Sequence, residues 1–410
     1  MLARSFSIGN VSNERSARRL ALICWGVLLA VVAGRMLLSR NINHSVFFIF
    51  DTAGRSWIAG HELYGNEDNL FRYSPTIAAA FAPWTLLPQR AAEILWRVLS
   101  ASAFVAGLIH FLRACVPGFD ARRRWLVVLG SLPLALMSVN NGQANILLGA
   151  LLFFALADAQ RERWNRCAIA LAAAVLLKLW PIAAAGLLIV AFPRKLGPRF
   201  AVALAAGFAA PFLLHRWDYV LETYRSWLYY LPSDTRLDFN LLKGNRDFWL
   251  VNRLFGEPLS LFQYRLLQLG SAAASAAVVA LMRWRGRPIK DVMGFIAFGG
   301  TIWMLGFGPA TESCTYSLMG PLLAWSYLDP SRETESRLER FLLLLSIGFF
   351  GVALLSVPTG YSCYVEAFGL QPFGAAVLFA RMLVSGRPLR SADGHSARMP
   401  AVFVPRRQAA

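Results

Sequence analysis

Charged side chains are scarce in this sequence, because only 16% of its 410 residues are Asp, Glu, Lys or Arg. Acidic residues are the rarer class, with 23 against 41 basic ones, and lysine occurs only four times. So few charges do not cover the surface of a soluble domain of this length, and 57% of the residues are apolar. The composition excludes an ordinary soluble globule and predicts a protein that crosses a membrane many times.

Motifs for nucleotides and metals are also missing. No lysine follows a glycine, so the chain has no phosphate-binding P-loop, and HExxH, DxD and CxxC spacings do not occur. These absences exclude the common signatures of ATP coupling, of a metal-held nucleotide donor and of a zinc site. We therefore predict no cofactor and no bound metal. Among the five cysteines, a bridge between Cys314 and Cys363 stays open.

What the chain has instead is a series of apolar runs of membrane-helix composition. They predict an all-α, polytopic transmembrane bundle of about twelve spans, with a single membrane domain over residues 20–385. The first run follows three arginines, and we interpret it as an uncleaved span, with a cleaved signal peptide as the alternative. The runs are 20–38, 92–112, 124–139, 143–158, 167–178, 181–192, 199–214, 262–282, 291–308, 314–328, 339–357 and 366–384.

The orientation depends on residues 74–88, an apolar stretch with three prolines. If this stretch lies in the membrane interface instead of crossing, most basic residues fall in cytoplasmic segments, as is usual for membrane proteins. That placement also removes nucleic acid from the expected partners. It predicts cytoplasmic tails at 1–19 and 386–410, the latter basic and disordered, and it places loops 39–91 and 215–261 on the outer face of the cell (inner) membrane.

The first outer loop contains a carboxylate among aromatic residues. Asp51 suits a general base that accepts a proton from a hydroxyl, and the alternative is a helix cap for residues 52–59. Arg55, Tyr64 and Tyr73 follow as candidate substrate-binding residues, and Pro75 begins a predicted interfacial helix.

Three later segments carry further polar candidates. Asn141, Gln143 and Asn145 crowd an Asn-Gly turn, where they either shape the turn or hold sugar hydroxyls. Lys178 lies beside apolar residues at the junction of two short runs, which we interpret as a helical hairpin, with one kinked span as the competitor. A phosphate would supply its partner, and snorkelling to the surface is the alternative. Glu312 lies at the outer end of a late span, as a polar wall of a cleft or a solvated turn residue.

The second outer loop is rich in arginine and aromatic residues, which suit phosphate oxygens, sugar rings and interface lipid. Any one of these residues also fits a simple interfacial anchor. Its basic members are Arg216, Arg225, Arg236, Lys243, Arg246 and Arg253.

The order of these motifs resembles a known group of enzymes. An aspartate in the first outer loop, a G-x-x-L-Y step, a Y-x-P helix, an N-G-Q-x-N turn and an L-K-x-x-P junction occur in the integral membrane glycosyltransferases of the GT-C superfamily. Within that superfamily, residues 20–380 are most similar to glycosyltransferase family 87, whose best-known members are polyprenyl-phosphate-mannose-dependent alpha-mannosyltransferases.

The resemblance implies a GT-C-type architecture and a sugar transferase. It implies a polyprenyl-phosphate sugar donor, with mannose as the first candidate, and a glycolipid or polysaccharide acceptor of the cell envelope. Asp51 would be the base of an inverting displacement, and Lys178, Arg246 and Arg253 would meet the donor phosphate. The competing function is a flippase or transporter of lipid-linked sugars, which has the same polytopic layout.

Overall fold

The structure is a computed structural model that describes residues 7–39, 45–65, 71–231, 240–242, 244–308, 311–330 and 334–385. Side chains are described from residue 13 onward. Within these residues the chain is helical and contains no strand, which confirms the all-α prediction. The predicted tail at 386–410 and the loop residues Arg236 and Lys243 lie outside the described part of the chain.

Eighteen α-helices follow one another along the described residues, with short 3-10 or π-helical segments at several joints. The first nine are α1 Ser7–Leu38, α2 Phe47–Ala59, α3 Pro75–Phe81, α4 Gln89–Cys115, α5 Ala121–Asn140, α6 Asn145–Gln160, α7 Trp164–Leu177, α8 Ile182–Ala191 and α9 Pro193–Ala209. The others are α10 Trp217–Tyr230, α11 Phe248–Leu254, α12 Leu261–Trp284, α13 Ile289–Phe295, α14 Thr301–Phe307, α15 Met319–Leu328, α16 Arg337–Ser356, α17 Ser362–Ala367 and α18 Leu370–Val384.

Each of the twelve apolar runs coincides with one helix or with two or three consecutive helical segments. By length and composition, 6 helical stretches in the described residues are long and apolar enough to cross a membrane. Four further apolar helices, α6, α7, α8 and α18, are shorter. The six are Asn13–Leu38, Gln89–Cys115, Pro193–Leu213, Leu261–Trp284, Ile289–Phe307 and Arg337–Thr359. The protein is therefore a multi-pass membrane protein.

The first helix is an integral part of the bundle. It begins at Ser7, well before the predicted start at residue 20, and it packs along α5. Trp25 is buried, and its indole N–H donates to the carbonyl oxygen of Val128 at 3.1 Å. The first apolar run is thus packed as a helix of the bundle.

Successive helices run in alternate directions, so their termini meet at two opposite ends of the bundle. At one end, which we call the loop end, the start of α4 meets the end of α5, and Lys178 meets the start of α6. At the opposite end, α4 meets α6 through His110 and Arg161, and Lys195 meets Glu162. The candidate residues of the outer loops that the structure describes, and those of the Asn-Gly turn, lie at the loop end.

Residues 74–88 do not form a spanning helix. α3 is 7 residues long and continues into a 3-10 segment of 5 residues, whereas crossing a bilayer needs roughly 20 residues. Ser74 donates to the carbonyl oxygen of Leu176 at 3.0 Å, and Thr76 donates to that of Gly207 at 3.1 Å. The segment is thus packed against the ends of α7 and α9, in agreement with the prediction that it does not cross.

The second loop contributes α10, an amphipathic helix with three distinct sides. The buried side packs on the first loop, and Tyr219 donates to the carbonyl oxygen of His61 at 2.8 Å. One exposed edge is apolar and the other is charged, which is typical of a helix that lies in a membrane interface. The apolar edge is Trp217, Leu221 and Leu228, and the charged edge is Asp218, Glu222 and Arg225.

The predicted hairpin of α7 and α8 is wrong in its packing. The chain does break at Lys178 to Pro181, but the two helices touch only near this junction. α7 packs along α6 and α9, whereas α8 packs mainly against α12. Proline ends a helix without setting the direction of the next one, so the sequence located the break and not the arrangement.

Candidate functional site

Asp51 lies inside α2 and not at its start. The helix begins at Phe47, so the alternative reading of Asp51 as a cap for residues 52–59 is wrong. Its carboxylate is 3% exposed and forms a two-point ion pair with Arg55, with Nε to Oδ2 at 2.8 Å and Nη2 to Oδ1 at 3.3 Å. The Arg55 side chain is 53% exposed, so the ion pair joins a buried carboxylate to a guanidinium that solvent can reach.

The helix that carries Asp51 is connected directly to the Asn-Gly turn. The backbone N–H of Val46, just before α2, donates to the carbonyl oxygen of Asn141 at 2.9 Å. Gly142 has φ 63°, a conformation that favours glycine, and its carbonyl oxygen accepts from the Trp96 indole at 3.0 Å. Asp51 follows Val46 by five residues, which is about 7.5 Å along the helix axis.

The structure brings the turn, the Lys178 junction and the late Glu312 segment into one network, which we call the polar cluster. Lys178 Nζ donates to Asn145 Oδ1 at 2.7 Å, and Asn145 Nδ2 lies 3.5 Å from Thr315 Oγ1. Gln143 Nε2 donates to Glu312 Oε2 at 3.0 Å. Asn145 is fully buried, Lys178 is half-buried and Glu312 is exposed. The cluster therefore reaches from the interior to an accessible surface.

The local field of the polar cluster favours an anion. Asn145 opens α6, and the first N–H groups of a helix carry a partial positive charge. No side chain caps this helix start, and Lys178 adds a full positive charge beside it. Helix starts and lysines together are common phosphate sites. Lys178 also follows the last residue of α7, where a cation stabilises the negative helix end.

Tyr64 and Tyr73 form an aromatic wall against Phe50, the residue before Asp51. The Tyr64 hydroxyl donates to the backbone oxygen of Tyr73 at 2.7 Å, and the Tyr73 ring contacts that of Phe50, the neighbour of Asp51. Burial raises the pKa of Tyr64 far above its ordinary value, so this hydroxyl stays protonated. Tyr64 therefore shapes the wall and has no free hydroxyl proton to offer.

The two arginines predicted to meet a phosphate lie outside the polar cluster. Arg246 is 5% exposed and binds the turn before it, donating to the carbonyl oxygens of Leu241, Leu242 and Gly244 at 2.8 to 2.9 Å. It also lies 3.6 Å from Glu366. Arg253 lies on α11, 3.4 Å from Glu257. Arg246 thus serves to hold the second loop, and neither arginine joins Lys178 in this conformation.

Asp247 gives the second loop a pH-dependent stability. Its carboxylate accepts from the N–H of Leu250 at 3.1 Å, and burial raises the pKa of Asp247 to about 6. The folded protein thus holds this proton more tightly than the unfolded chain, whose carboxyl titrates near 3.8. The stabilisation from the protonated form is present below that value and is lost as the pH rises to about 6.

Asp247→Asn should remove this dependence, because asparagine keeps the helix cap without a charge. The difference between the melting temperatures of the wild type and the variant should fall as the pH rises from about 4 to about 6, and it should stay constant above pH 6. Asp218→Asn is the control, because Arg216 lowers the pKa of the exposed Asp218 carboxyl below its usual value. A wild-type curve parallel to that of Asp247→Asn over this window would exclude the role of Asp247.

The sequence alone did not indicate Thr315, the residue that completes the polar cluster. Thr315 joins Asn145 to the Glu312 segment, and nothing in its sequence context distinguishes it from other hydroxyl residues.

Cys314 and Cys363 are both free, so the disulfide between them that the sequence left open is not formed. Among the residues that the structure describes, no group of three or more His, Cys, Asp or Glu is placed to hold a metal ion.

A comparison with protein families matches residues 71–306 to glycosyltransferase family 87, which is more than half of the chain. The chain belongs to glycosyltransferase family 87. A comparison with individually curated proteins gives no match. The family 87 region contains Gln143, Asn145 and Lys178, whereas Asp51 and Glu312 lie on either side of it.

Family membership makes the protein a glycosyltransferase, which needs a sugar donor and an acceptor. It also confirms the resemblance on which the sequence predictions depend. The long apolar helices place the protein in a membrane, where the donor and the acceptor would bind.

Proposed function

We propose that this family 87 glycosyltransferase moves one sugar from a polyprenyl-phosphate donor to a glycolipid or polysaccharide of the cell envelope. The observation that carries the proposal is the polar cluster, in which Lys178 and the start of α6 offer positive charge near the helix of Asp51. Mannose is the first candidate for the sugar. Family membership favours this activity over a flippase, although the two share a polytopic layout.

The proposed reaction is a single displacement. Asp51 accepts the proton of an acceptor hydroxyl, and the oxygen forms a bond to the anomeric carbon of the donor. The bond from that carbon to the phosphate oxygen breaks, and polyprenyl phosphate leaves with the electron pair. One displacement inverts the configuration at the anomeric carbon. Lys178 stabilises the charge that develops on the phosphate, which needs no separate proton donor.

The remaining candidates are assigned by where they lie. Arg55 keeps a positive charge next to Asp51 and holds its carboxylate in place before the acceptor arrives. Amide and carboxylate groups for sugar hydroxyls come from Asn141, Gln143 and Glu312. Glu312 is exposed, so an acceptor can reach it from solvent. Arg253 is kept as a second, more distant candidate for the phosphate.

We further propose the complete twelve-span GT-C-type topology with both termini cytoplasmic. The support is the alternation of helix ends, since the apolar helices shorter than a usual span also connect the loop end to the opposite end. Basic residues concentrate at the opposite end, which the positive-inside rule places in the cytoplasm. The loop end, and with it Asp51, then lies on the outer face of the cell membrane.

An apolar cavity supports a lipid-linked donor. Its volume is about 460 Å³, and it lies between α5, α15 and α16. At the loop end, α5 ends at the Asn-Gly turn, and α15 begins just after the Glu312 segment. A chain of isoprene units is apolar throughout and matches such a lining. The lining includes Gly130, Pro133, Leu134, Gly320, Leu323 and Phe350.

The decisive experiment measures sugar transfer by the purified protein in detergent or nanodiscs. Radiolabelled polyprenyl-phosphate sugars, with mannose, glucose, galactose and arabinose as heads, are offered with an envelope lipid extract as acceptor. We expect transfer from at least one of these donors and none from the corresponding nucleotide sugars. Transfer from a nucleotide sugar, with none from any lipid-linked donor, would refute the proposal.

A further inference from the structure

A buried ion pair in α4 contacts both the Asn-Gly turn and the segment that leads into α2. Glu93 and Arg97 are 3% and 4% exposed, and Arg97 Nη1 lies 2.8 Å from Glu93 Oε1. They are one helical turn apart, near the start of a helix long enough to span the membrane. Charges buried at such a position are costly, and they usually have a partner and a task.

Arg97 holds the backbone of the Asn-Gly turn. Its Nε donates to the carbonyl oxygen of Val139 at 2.8 Å, and its Nη2 donates to that of Asn140 at 2.8 Å. A side chain on Gly142 would begin only 3.1 Å from this guanidinium, so the turn lies directly against it. The guanidinium therefore fixes the backbone from which Gln143 reaches Glu312.

Glu93 holds the entry to the helix of Asp51. The hydroxyl of Ser45 donates to Glu93 Oε1, the same oxygen that accepts from Arg97. The next residue, Val46, donates its N–H to the carbonyl oxygen of Asn141. One ion pair thus contacts the chain on both sides of the junction between α2 and the turn.

We propose that Glu93 and Arg97 are positioning residues that set the distance between Asp51 and the polar cluster. The expected effect on catalysis rests on the proposed function, whereas the geometric role does not. A base on α2 and a phosphate site at the start of α6 act together only when the substrates between them are aligned. A misplacement of about 1 Å costs on the order of 100-fold in rate.

The test compares Arg97→Gln with Arg381→Gln. Arg381 forms an ion pair with the buried Glu335 carboxylate at the opposite end, so both variants leave a buried carboxylate without its arginine. Hydrogen exchange measured by mass spectrometry should show faster exchange of amides 45–51 and 139–145 in Arg97→Gln than in Arg381→Gln. Arg97→Lys should lie between Arg97→Gln and the wild type, because lysine keeps the charge but loses the planar fork.

Activity gives a second and separate readout. With the best donor of the panel, kcat of Arg97→Gln should fall about 10- to 100-fold. The dissociation constant for farnesyl phosphate should change by less than about 3-fold, because Lys178 follows α7 and lies outside the turn that Arg97 holds. Ser45→Ala removes one hydrogen bond and should lower kcat by about 3-fold. Arg381→Gln should keep the wild-type kcat per folded molecule.

Equal exchange in the two segments for Arg97→Gln and Arg381→Gln would overturn the proposal, as would an unchanged kcat in Arg97→Gln. If Arg97→Gln does not fold, Arg97→Lys and Ser45→Ala decide by the same two measurements. If the wild type transfers sugar from none of the donors, the proposed function fails, and hydrogen exchange still decides whether the ion pair positions α2 and the turn.

Discussion

Replacing Asp51 with asparagine should lower the rate of sugar transfer by about 10²- to 10⁴-fold, the usual contribution of a general base. Asparagine has nearly the same shape and can still accept a hydrogen bond from Arg55, so α2 keeps its packing. It cannot accept the proton of the acceptor hydroxyl at neutral pH. The initial rate at saturating donor, measured on protein that elutes as a single species, gives the result.

Glu222→Gln is the matched control for Asp51→Asn. Glu222 lies on α10 at the loop end and pairs with Arg225 at 3.5 Å, so the substitution removes the same charge from another ion pair at this end. We expect it to retain the wild-type rate. If Asp51→Asn keeps more than half of the wild-type activity, Asp51 is not the base, and the chemistry must depend on another group.

Lys178→Met should weaken the binding of farnesyl phosphate by about 10- to 100-fold, which corresponds to the loss of one charge-assisted hydrogen bond. Methionine preserves length and apolar contact but carries no charge. Farnesol has the same hydrocarbon chain and no phosphate, so its binding should not change. Arginine at this position should restore part of the affinity, because it keeps the positive charge.

Lys195→Met is the control for the lysine. Lys195 pairs with Glu162 at 3.1 Å at the opposite end, so this variant also exchanges a lysine for methionine in a helical contact. It should bind farnesyl phosphate like the wild type. The competing role of Lys178, stabilising the end of α7, predicts instead a lower melting temperature with unchanged phosphate binding. That result would falsify the phosphate assignment.

The helices could be predicted from the sequence because an apolar run is a local property. Runs such as 92–112 and 339–357 contain enough consecutive apolar residues to identify α4 and α16 without any knowledge of their neighbours. The start of α2 was predicted too late. Phe47 and Phe50 extend this helix through contacts with the rings of Phe81 and Trp96, which are distant in sequence.

The sequence indicated single residues of the candidate site but not the contacts between them. The sequence identified Gln143, Lys178 and Glu312 one by one, but only the fold joins them into the polar cluster. Arg97 did carry a signal, since an arginine within an apolar run calls for a partner. That signal did not reveal that its guanidinium binds the carbonyl oxygens of a turn more than forty residues later.

The apolar cavity between α5, α15 and α16 has a consequence for the proposed lipid-linked donor. If the hydrocarbon tail occupies this space, the substrate stays in the bilayer throughout the catalytic cycle and approaches by lateral diffusion. Turnover then follows the mole fraction of donor in the membrane, not its amount per volume of solution. Diluting the vesicles with buffer should leave the rate per enzyme unchanged, whereas diluting the donor with inert phospholipid should lower it.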